Sequence, residues 1–463
     1  MSKIIQENGF RVIASEGLGR ASNTTAHSVA FFRGQLYVGT SCGSVTGSSD
    51  SPRILRFHAE DGEWETVYES PLVPATKRAR APDRQLAKNM KGGLDFSRFK
   101  KPSETDSNLV PRDAGFRSMC VFKGRTDAEP ALYVSCMSRF GGQILRSEDG
   151  VTFEPVGEPG FGNPDIYSFR GLTVLGDRLF TAPAGTTTDE WLDRNLAPEV
   201  RVYVTDDPAS GRWEVASPEG FGDPANMAIY ALATAHGMVY GGTANPERGM
   251  QVWRTSAEGT APFTWEPVVV DGAGAFNHNL AVTAMTEFKG ALYVGGGITG
   301  FGYDTVHDIG PASAEMIRIH PDKSWDLIAG RMRFTPDGLK VPLSLLGPGL
   351  DDFYNSVIWS LGVHDGVIYL GTHQWEAFRS AELGGADVVG GYQLWASEDG
   401  ENWQVVIADG HGNPAEIGVR NIASTPLGLV IGTNNQKRLL QMKARRSGAK
   451  VDFNGGFEVL LGQ

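Results

Sequence analysis

The chain has 463 residues, 41% of them hydrophobic and 21% charged, with a formal net charge of −12. Those proportions belong to an ordinary globular protein, and the acidic balance argues against nucleic acid as the main partner, because a phosphate backbone rewards a basic surface. Three scattered cysteines (Cys42, Cys120, Cys136) exclude a disulfide framework and a cysteine zinc site. The start of the chain has no apolar signal core and no stretch approaches 18 apolar residues, so a cytoplasmic protein with no membrane partner is expected. The 59 glycines and 25 prolines suit a chain with many tight turns.

In chain order, one strand pattern recurs: Leu36-Tyr-Val-Gly-Thr40, Leu132-Tyr-Val-Ser135, Leu179-Phe-Thr181, Val239-Tyr-Gly-Gly-Thr243, Leu292-Tyr-Val-Gly-Gly296, Ile368-Tyr-Leu-Gly-Thr372 and Val430-Ile-Gly-Thr433. An apolar strand and a Gly turn precede each copy. A third strand follows, as in Ile54–Phe57, Gln143–Arg146, Gln251–Arg254 and Gln393–Trp395, and then a fourth opened by Trp64, Phe153, Trp213, Trp265, Trp325 or Trp403. Short strands at regular spacing predict an all-β fold. Four strands repeated seven times predict a single domain over 1–463, a seven-bladed β-propeller of four-stranded antiparallel blades. Residues 10–17 and 457–461 both have the form of a fourth strand, so the N-terminal strand is expected to close the ring, with the C-terminal segment contributing.

Two turns between third and fourth strands, Ser147-Glu-Asp-Gly-Val-Thr-Phe153 and Ser397-Glu-Asp-Gly-Glu-Asn-Trp403, resemble Asp-boxes; Thr205…Trp213 and Thr255…Trp265 resemble degenerate ones. The chain is therefore similar to the Asp-box (BNR-like) β-propeller superfamily. That likeness implies a turn in which Asp bonds its own backbone, Gly takes positive φ and the aromatic packs between blades. It says little of function, since hydrolases, receptors and assembly factors share the motif.

First-to-second-strand turns are minimal (Arg33-Gly34, His236-Gly237, Lys289-Gly290, Asp365-Gly366), whereas the opposite rim carries 40–53, 70–112, 181–201, 296–314, 326–355 and 372–391. Long loops gathered on one side of a rigid scaffold point to function there. The 70–112 insertion is basic: nine Lys/Arg between Lys77 and Lys101 face only Asp83 and Asp95. It is either a lid that attracts an anion or a solvated loop.

Aligning first strands on the repeat places His27, Arg117, Arg170, Tyr230, Thr283, Trp359 and Arg420 at one level, each after an apolar or small residue and before a small or polar one. Four positions upstream stand Asn23, Asp113, Asn226, Asn279, Asn355 and Glu416, a polar collar. First strands line a propeller channel, so three arginines, a histidine, a tyrosine and a tryptophan are expected around one axis. Guanidinium forks grip carboxylate, phosphate or phenolate, and a Tyr or His beside them can move a proton. We expect Tyr230, His27, Arg117 and Arg420 to be catalytic, with Arg170, Asp113, Trp359, Asn279, Asn355, Glu416 and His373 binding substrate; the alternative is a water-filled polar channel whose arginines pair with the collar. His373-Gln-Trp-Glu376 and Tyr303-Asp304…His307-Asp308 lie on loops of the same rim without metal-site spacing. No cofactor is predicted, though collar carboxylates and carbonyls could take calcium.

The segments Pro342-Leu-Ser-Leu-Leu-Gly-Pro-Gly-Leu-Asp-Asp-Phe-Tyr354, Gly412–Asn421 and Ser424–Thr433 resemble the propeller half of the alkylating enzymes that build cylindrocyclophanes, although the Asp/Gly-rich calcium-binding nonapeptides of that family are missing from this sequence. The resemblance implies alkylation of a phenolic ring, with arginines on the departing chloride or phenolate and Tyr230, His27 or a collar carboxylate taking the proton. A glycan-active alternative rests on Phe116-Arg117, Phe169-Arg170, Tyr230 and Asp113, which resemble the sialidase inventory, although Ser118-Met119 departs from its signature. A non-catalytic scaffold offering Trp191, Trp375 and Phe378 to a protein partner on the loop-rich face is the third reading.

Overall fold

The computed structural model describes residues 3–42, 50–75, 109–187, 195–384, 387–445 and 447–463. The basic stretch 77–101 and Trp191 lie outside the described residues. Within them the fold is all-β, built of short antiparallel strands joined mostly in sequence order.

The described strands group into seven four-stranded meanders. The first is Asn23–Phe32, Gln35–Cys42, Arg53–His58 and Glu63–Glu69. The second is Asp113–Phe122, Ala131–Ser138, Ile144–Ser147 and Glu154–Val156; the third is Ile166–Leu175, Arg178–Thr186, Tyr203–Thr205 and Glu214–Val215. The fourth is Ala228–Ala235, Met238–Ala244, Val252–Thr255 and Glu266–Val269. The fifth is Ala281–Phe288, Ala291–Gly297, Met316–Ile319 and Trp325–Ala329. The sixth is Asn355–His364, Val367–Gln374, Leu394–Ser397 and Gln404–Ile407.

The seventh meander is assembled from both ends of the sequence. Glu416–Thr425, Gly428–Asn435 and Val459–Gly462 pair in order, and Phe10–Ala14 lies outermost, with Phe10 opposite Gly462. The C-terminal segment is thus a third strand rather than the fourth strand its form suggested. The helix Lys437–Ala444 (α2) fills the loop before it and pushes the third strand out to residue 459. That helix packs Leu439, Leu440 and Ala444 on Ala377, Phe378 and Ala381 of Glu376–Leu383 (α1).

Second strands form the core. Leu36, Val38, Leu132, Val134, Leu292 and Val294 are fully buried, and so, on the opposite strand face, are Tyr37, Tyr133, Tyr240, Tyr293 and Tyr369. Both faces of each strand are therefore covered by neighbouring meanders, which is why the repeat has no polar alternation. Single residue pairs tie adjacent meanders: Ser41 with Gly115, Ala244 with Ala281, Gly297 with Val357 and His373 with Gly418. A further pair, Thr25 with Asn434, joins the first meander to the seventh.

The minimal turns have positive φ at both central residues, 48° and 78° at Arg33-Gly34 and 49° and 73° at Lys289-Gly290. This is the twist that suits a two-residue hairpin. In the turns at Ser147–Phe153 and Ser397–Trp403, Asp149 and Asp399 each accept two backbone amides at 2.7–2.9 Å. Gly150 (φ 78°) and Gly400 (φ 85°) lie against the hydroxyls of Tyr37 and Tyr293 in the preceding meander, so closely that a Cβ would fall 2.0 and 1.9 Å from them.

Candidate functional site

The aligned first-strand residues occupy one structural position. Register slips by one residue across Ala26/Ser28, Phe116/Ser118, Ile229/Ala231, Val282/Ala284, Ile358/Ser360 and Val419/Asn421, which leaves His27, Arg117, Tyr230, Thr283, Trp359 and Arg420 as the extra, unpaired residues. In the third meander the slip follows directly after Arg170. A bulge re-aims the side chain at its extra residue. The apolar–x–small pattern is how that bulge appears in sequence: the flanking residues stay in the packed ladder while the middle one leaves it.

Several of these side chains meet. Arg420 donates from Nη2 to His27 Nε2 at 3.2 Å, and its guanidinium carbon lies 5.4 Å from the Trp359 ring centre. Arg170 stacks on Tyr230 at 3.9 Å and donates from Nη2 to Asn195 Oδ1 at 3.3 Å. Arg117 donates to Ser168 Oγ at 3.1 Å. Trp359 meets His373 edge-on at 4.9 Å, whereas Thr283 bonds the carbonyls of Gly295 and Ile358 and serves as a strut.

The three arginines act on one another. Burial, and then the charges of Arg170 and Arg420, hold the Arg117 guanidinium well below its ordinary range; burial and Arg170 bring Arg420 down to about 10. Both keep some accessible surface. No described carboxylate bonds Arg117 or Arg420. Guanidinium does not shed its proton in proteins, so this is buried positive charge. His373 is likewise desolvated, to about 4, which keeps its imidazole neutral at pH 7.

The collar is placed differently. Asn23, Asp113, Asn226, Asn279, Asn355 and Glu416 are all at most 3% exposed. Four of them reach back to a connector glycine carbonyl: Asn23 to Gly17, Asn226 to Gly220, Asn279 to Gly272 and Asn355 to Gly349, at 2.8–3.3 Å. Asp113 pairs with Arg112 and Ser70 rather than with Arg117. The four asparagines therefore fasten their first strands to the connectors before them, and neither collar carboxylate reaches the arginine cluster through a described hydrogen bond.

Tyr230 and Asn195 also line an open cleft of about 720 Å³. Its other walls come from the connector at Glu219–Asn226 and from Thr299–His307. On that loop His307 Nδ1 is 2.8 Å from Asp304 Oδ2, and Tyr303 bonds Asp308. The cleft thus joins Tyr230 and Asn195, both in contact with Arg170, to the loop Thr299–His307. Trp375 and Phe378 are instead packed among Phe301, Phe353 and Tyr354.

No known family profile matches the sequence, and no curated protein matches it. Among solved structures it is similar to a GH74 xyloglucanase from Xanthomonas campestris (15% identity, TM-score 0.46, 92% of this chain and 52% of that one). It is similar also to the polysaccharide lyase Uly1 (12%, 0.49, 94% and 90%) and to YCF48 from Cyanidioschyzon merolae (10%, 0.47, 98% and 98%). The chain spans about half the length of the xyloglucanase.

Two participants were not singled out from sequence. Tyr167 is fully buried, its hydroxyl has no described partner, and it lies close enough to Arg117 to act on it; Ser168 receives the Arg117 hydrogen bond. Their signal, a polar pair two and three residues before Arg170, lies where the other first strands carry none in common. Among the described residues no group of three His, Cys, Asp or Glu side chains could hold a metal ion, and no helix is long and apolar enough to cross a membrane.

Proposed function

We propose that the seven meanders are the blades of a closed Asp-box propeller and that the chain is an enzyme acting on a small organic anion at its axis. The observation that carries this is the cluster of Arg117, Arg170 and Arg420, buried together with no described carboxylate on Arg117 or Arg420. In this reading the arginines take the carboxylate, phenolate or departing halide, and the body of the molecule enters through the cleft at Tyr230. Tyr230 and His27 move the proton, Trp359 and His373 shape the apolar side, and the collar holds the first strands in place. Transferase-type alkylation of a phenol is the finer expectation: the ring carbon displaces chloride, the ring loses its proton to Tyr230 or His27, and the arginines stabilise the leaving anion. A second reading, an acidic sugar as substrate, is favoured by Glu219, Asp223 and Asp304 on the cleft wall, where they suit sugar hydroxyls.

Calorimetric titration of salicylate, glucuronate, N-acetylneuraminate and phosphate into the wild-type protein and Arg117→Gln tests the proposal. Saturable binding of one carboxylate, weakened at least tenfold by Arg117→Gln, is expected; the ligand that binds separates phenolic from sugar chemistry. Absence of binding, or equal binding by the variant, overturns the anion site.

A further inference from the structure

In the fourth and sixth meanders the collar asparagine and the residue that opens the third strand form an amide pair. Asn226 Nδ2 donates to Gln251 Oε1 at 2.9 Å, while its Oδ1 accepts from Thr243 Oγ1 and Asn245 Nδ2 at 2.9 and 3.0 Å. Asn355 Nδ2 donates to Gln393 Oε1 at 2.7 Å. The backbone amides of Gln251 and Gln393 are fixed by Thr243 and Thr372. This position needs a donor on the collar side chain and an acceptor on its partner.

The seventh meander keeps the frame and changes both residues to acids. Glu458 N donates to Thr433 Oγ1 at 2.8 Å, as Gln251 and Gln393 do to their threonines. Glu416 Oε1 accepts from Asn435 Nδ2 at 2.7 Å, the part that Asn226 Oδ1 plays for Asn245. What remains in the donor's place is Glu416 Oε2, and in the acceptor's place Glu458 Oε2; both are buried without a hydrogen-bond partner. Glu416 is 0% and Glu458 8% exposed.

We propose that Glu416 and Glu458 share one proton and act as a pH-sensitive latch, holding Val459–Gly462, and through it Phe10–Ala14, onto the seventh meander. A protonated carboxyl supplies the donor that the amide supplies elsewhere, and two ionised carboxylates at this place would repel each other without water to screen them.

Among the described residues, the groups that face the pair offer no counter-charge. Glu416 meets Glu458, Thr433 and Asn435; Glu458 meets Asn413 on the connector. Tyr392, from the sixth meander, faces Glu416, Glu458, Asp409 and Glu7. Helix α2 lays Leu439 and Leu440 against Ala415 and Ile417, and neither Lys437 nor Lys443 acts on Glu416. Burial, and then Glu458, pushes the Glu416 carboxyl up to about 8, and burial pushes Glu458 up to about 6. Because both folded values lie above the ordinary 4.5, the stabilisation is complete below pH 4.5 and is lost as pH rises through 6 to 8.

Thermal midpoints from pH 5 to pH 9, in the presence of a chelator, test the latch in the full-length chain. The wild type is expected to lose about 5 °C more across that range than Glu416→Gln, which restores a neutral donor. Glu458→Gln, which recreates the partner of the fourth and sixth meanders, removes the repulsion but leaves Glu416 buried, so it should flatten the curve in part; it covers the case where the first variant folds poorly. The protection of the amides at 459–462, after correction for the intrinsic rise of exchange with pH, should fall at pH 9 in the wild type alone. Parallel curves for wild type and both variants overturn the proposal. So does recovery of the wild type at pH 9 by millimolar calcium, which would mean that the pair holds a cation instead of a proton. Neither result bears on anion binding at the arginines.

Discussion

Replacing Gly400 by alanine separates two costs that are usually confounded, backbone strain and steric contact. Gly400 has φ of 85°, and an added Cβ would stand 1.9 Å from the Tyr293 hydroxyl and 2.6 Å from its Cζ. Gly290 has a similar φ, 73°, but nothing within 4 Å of the Cβ position. Alanine in the left-handed region costs about 1–2 kcal/mol at either site. Only Gly400→Ala must also displace a tyrosine that is 1% exposed and bonded by Arg318 at 3.4 Å, and overpacking of this kind adds about 1–3 kcal/mol. We therefore expect Gly400→Ala to lose about 2–5 kcal/mol and Gly290→Ala about 1–2 kcal/mol in denaturant unfolding. Removing the hydroxyl in Gly400→Ala/Tyr293→Phe should recover part of the difference, since Cζ still crowds the new methyl. Equal losses for the two glycine variants would refute the view that this turn packs on the preceding meander. The pair Gly150 and Tyr37 repeats the geometry and provides a second trial.

The aspartates of the same turns give an acid signature. The amides of Thr152 and Val151 hold the Asp149 carboxyl down to about 2, below its ordinary 3.8. Its contribution is present above pH 3.8 and fades as pH falls through 2, so Asp149→Ala should narrow the gap to wild type in acid while costing about 1 kcal/mol at pH 7, read by urea unfolding. Asn355→Asp should cost about 3 kcal/mol at pH 8, because its Nδ2 donates to Gly349 O and Gln393 Oε1, and a carboxylate would turn two hydrogen bonds into two repulsions. A loss below 1 kcal/mol would mean that the position is less closed than its 0% exposure implies.

The repeat was legible because covering both faces of each second strand enforces a run of apolar and aromatic residues, variants of Leu-Tyr-Val-Gly, seven times over. The site level was legible for the same reason: His27, Arg117 and Tyr230 are bulge residues, and a bulge in a packed ladder leaves an apolar neighbour before it and a small one after it. The collar was visible as a series, but its purpose was not. Asn226 and Asn355 answer to connector glycines six residues earlier, a contact that depends on positive φ at Gly220 and Gly349. The segment Lys437–Ala444 is made of good helix formers, yet with the adjoining strand read as a fourth strand there was no loop to put a helix in. The cleft was beyond reach from sequence, since it joins residues of the third, fourth and fifth meanders whose separation in the chain exceeds any local pattern.

The pairing of Phe10–Ala14 with Val459–Gly462 also has a consequence for biosynthesis. Phe10–Ala14 leaves the ribosome well before its partner Val459–Gly462 and must wait for it, while the six meanders between them can fold locally. Until then the seventh lacks its outer half and exposes an open edge, where a second nascent chain could donate the missing strand. Premature termination anywhere before residue 459 would leave that edge permanently bare, so truncated products should accumulate as aggregates rather than as smaller soluble proteins.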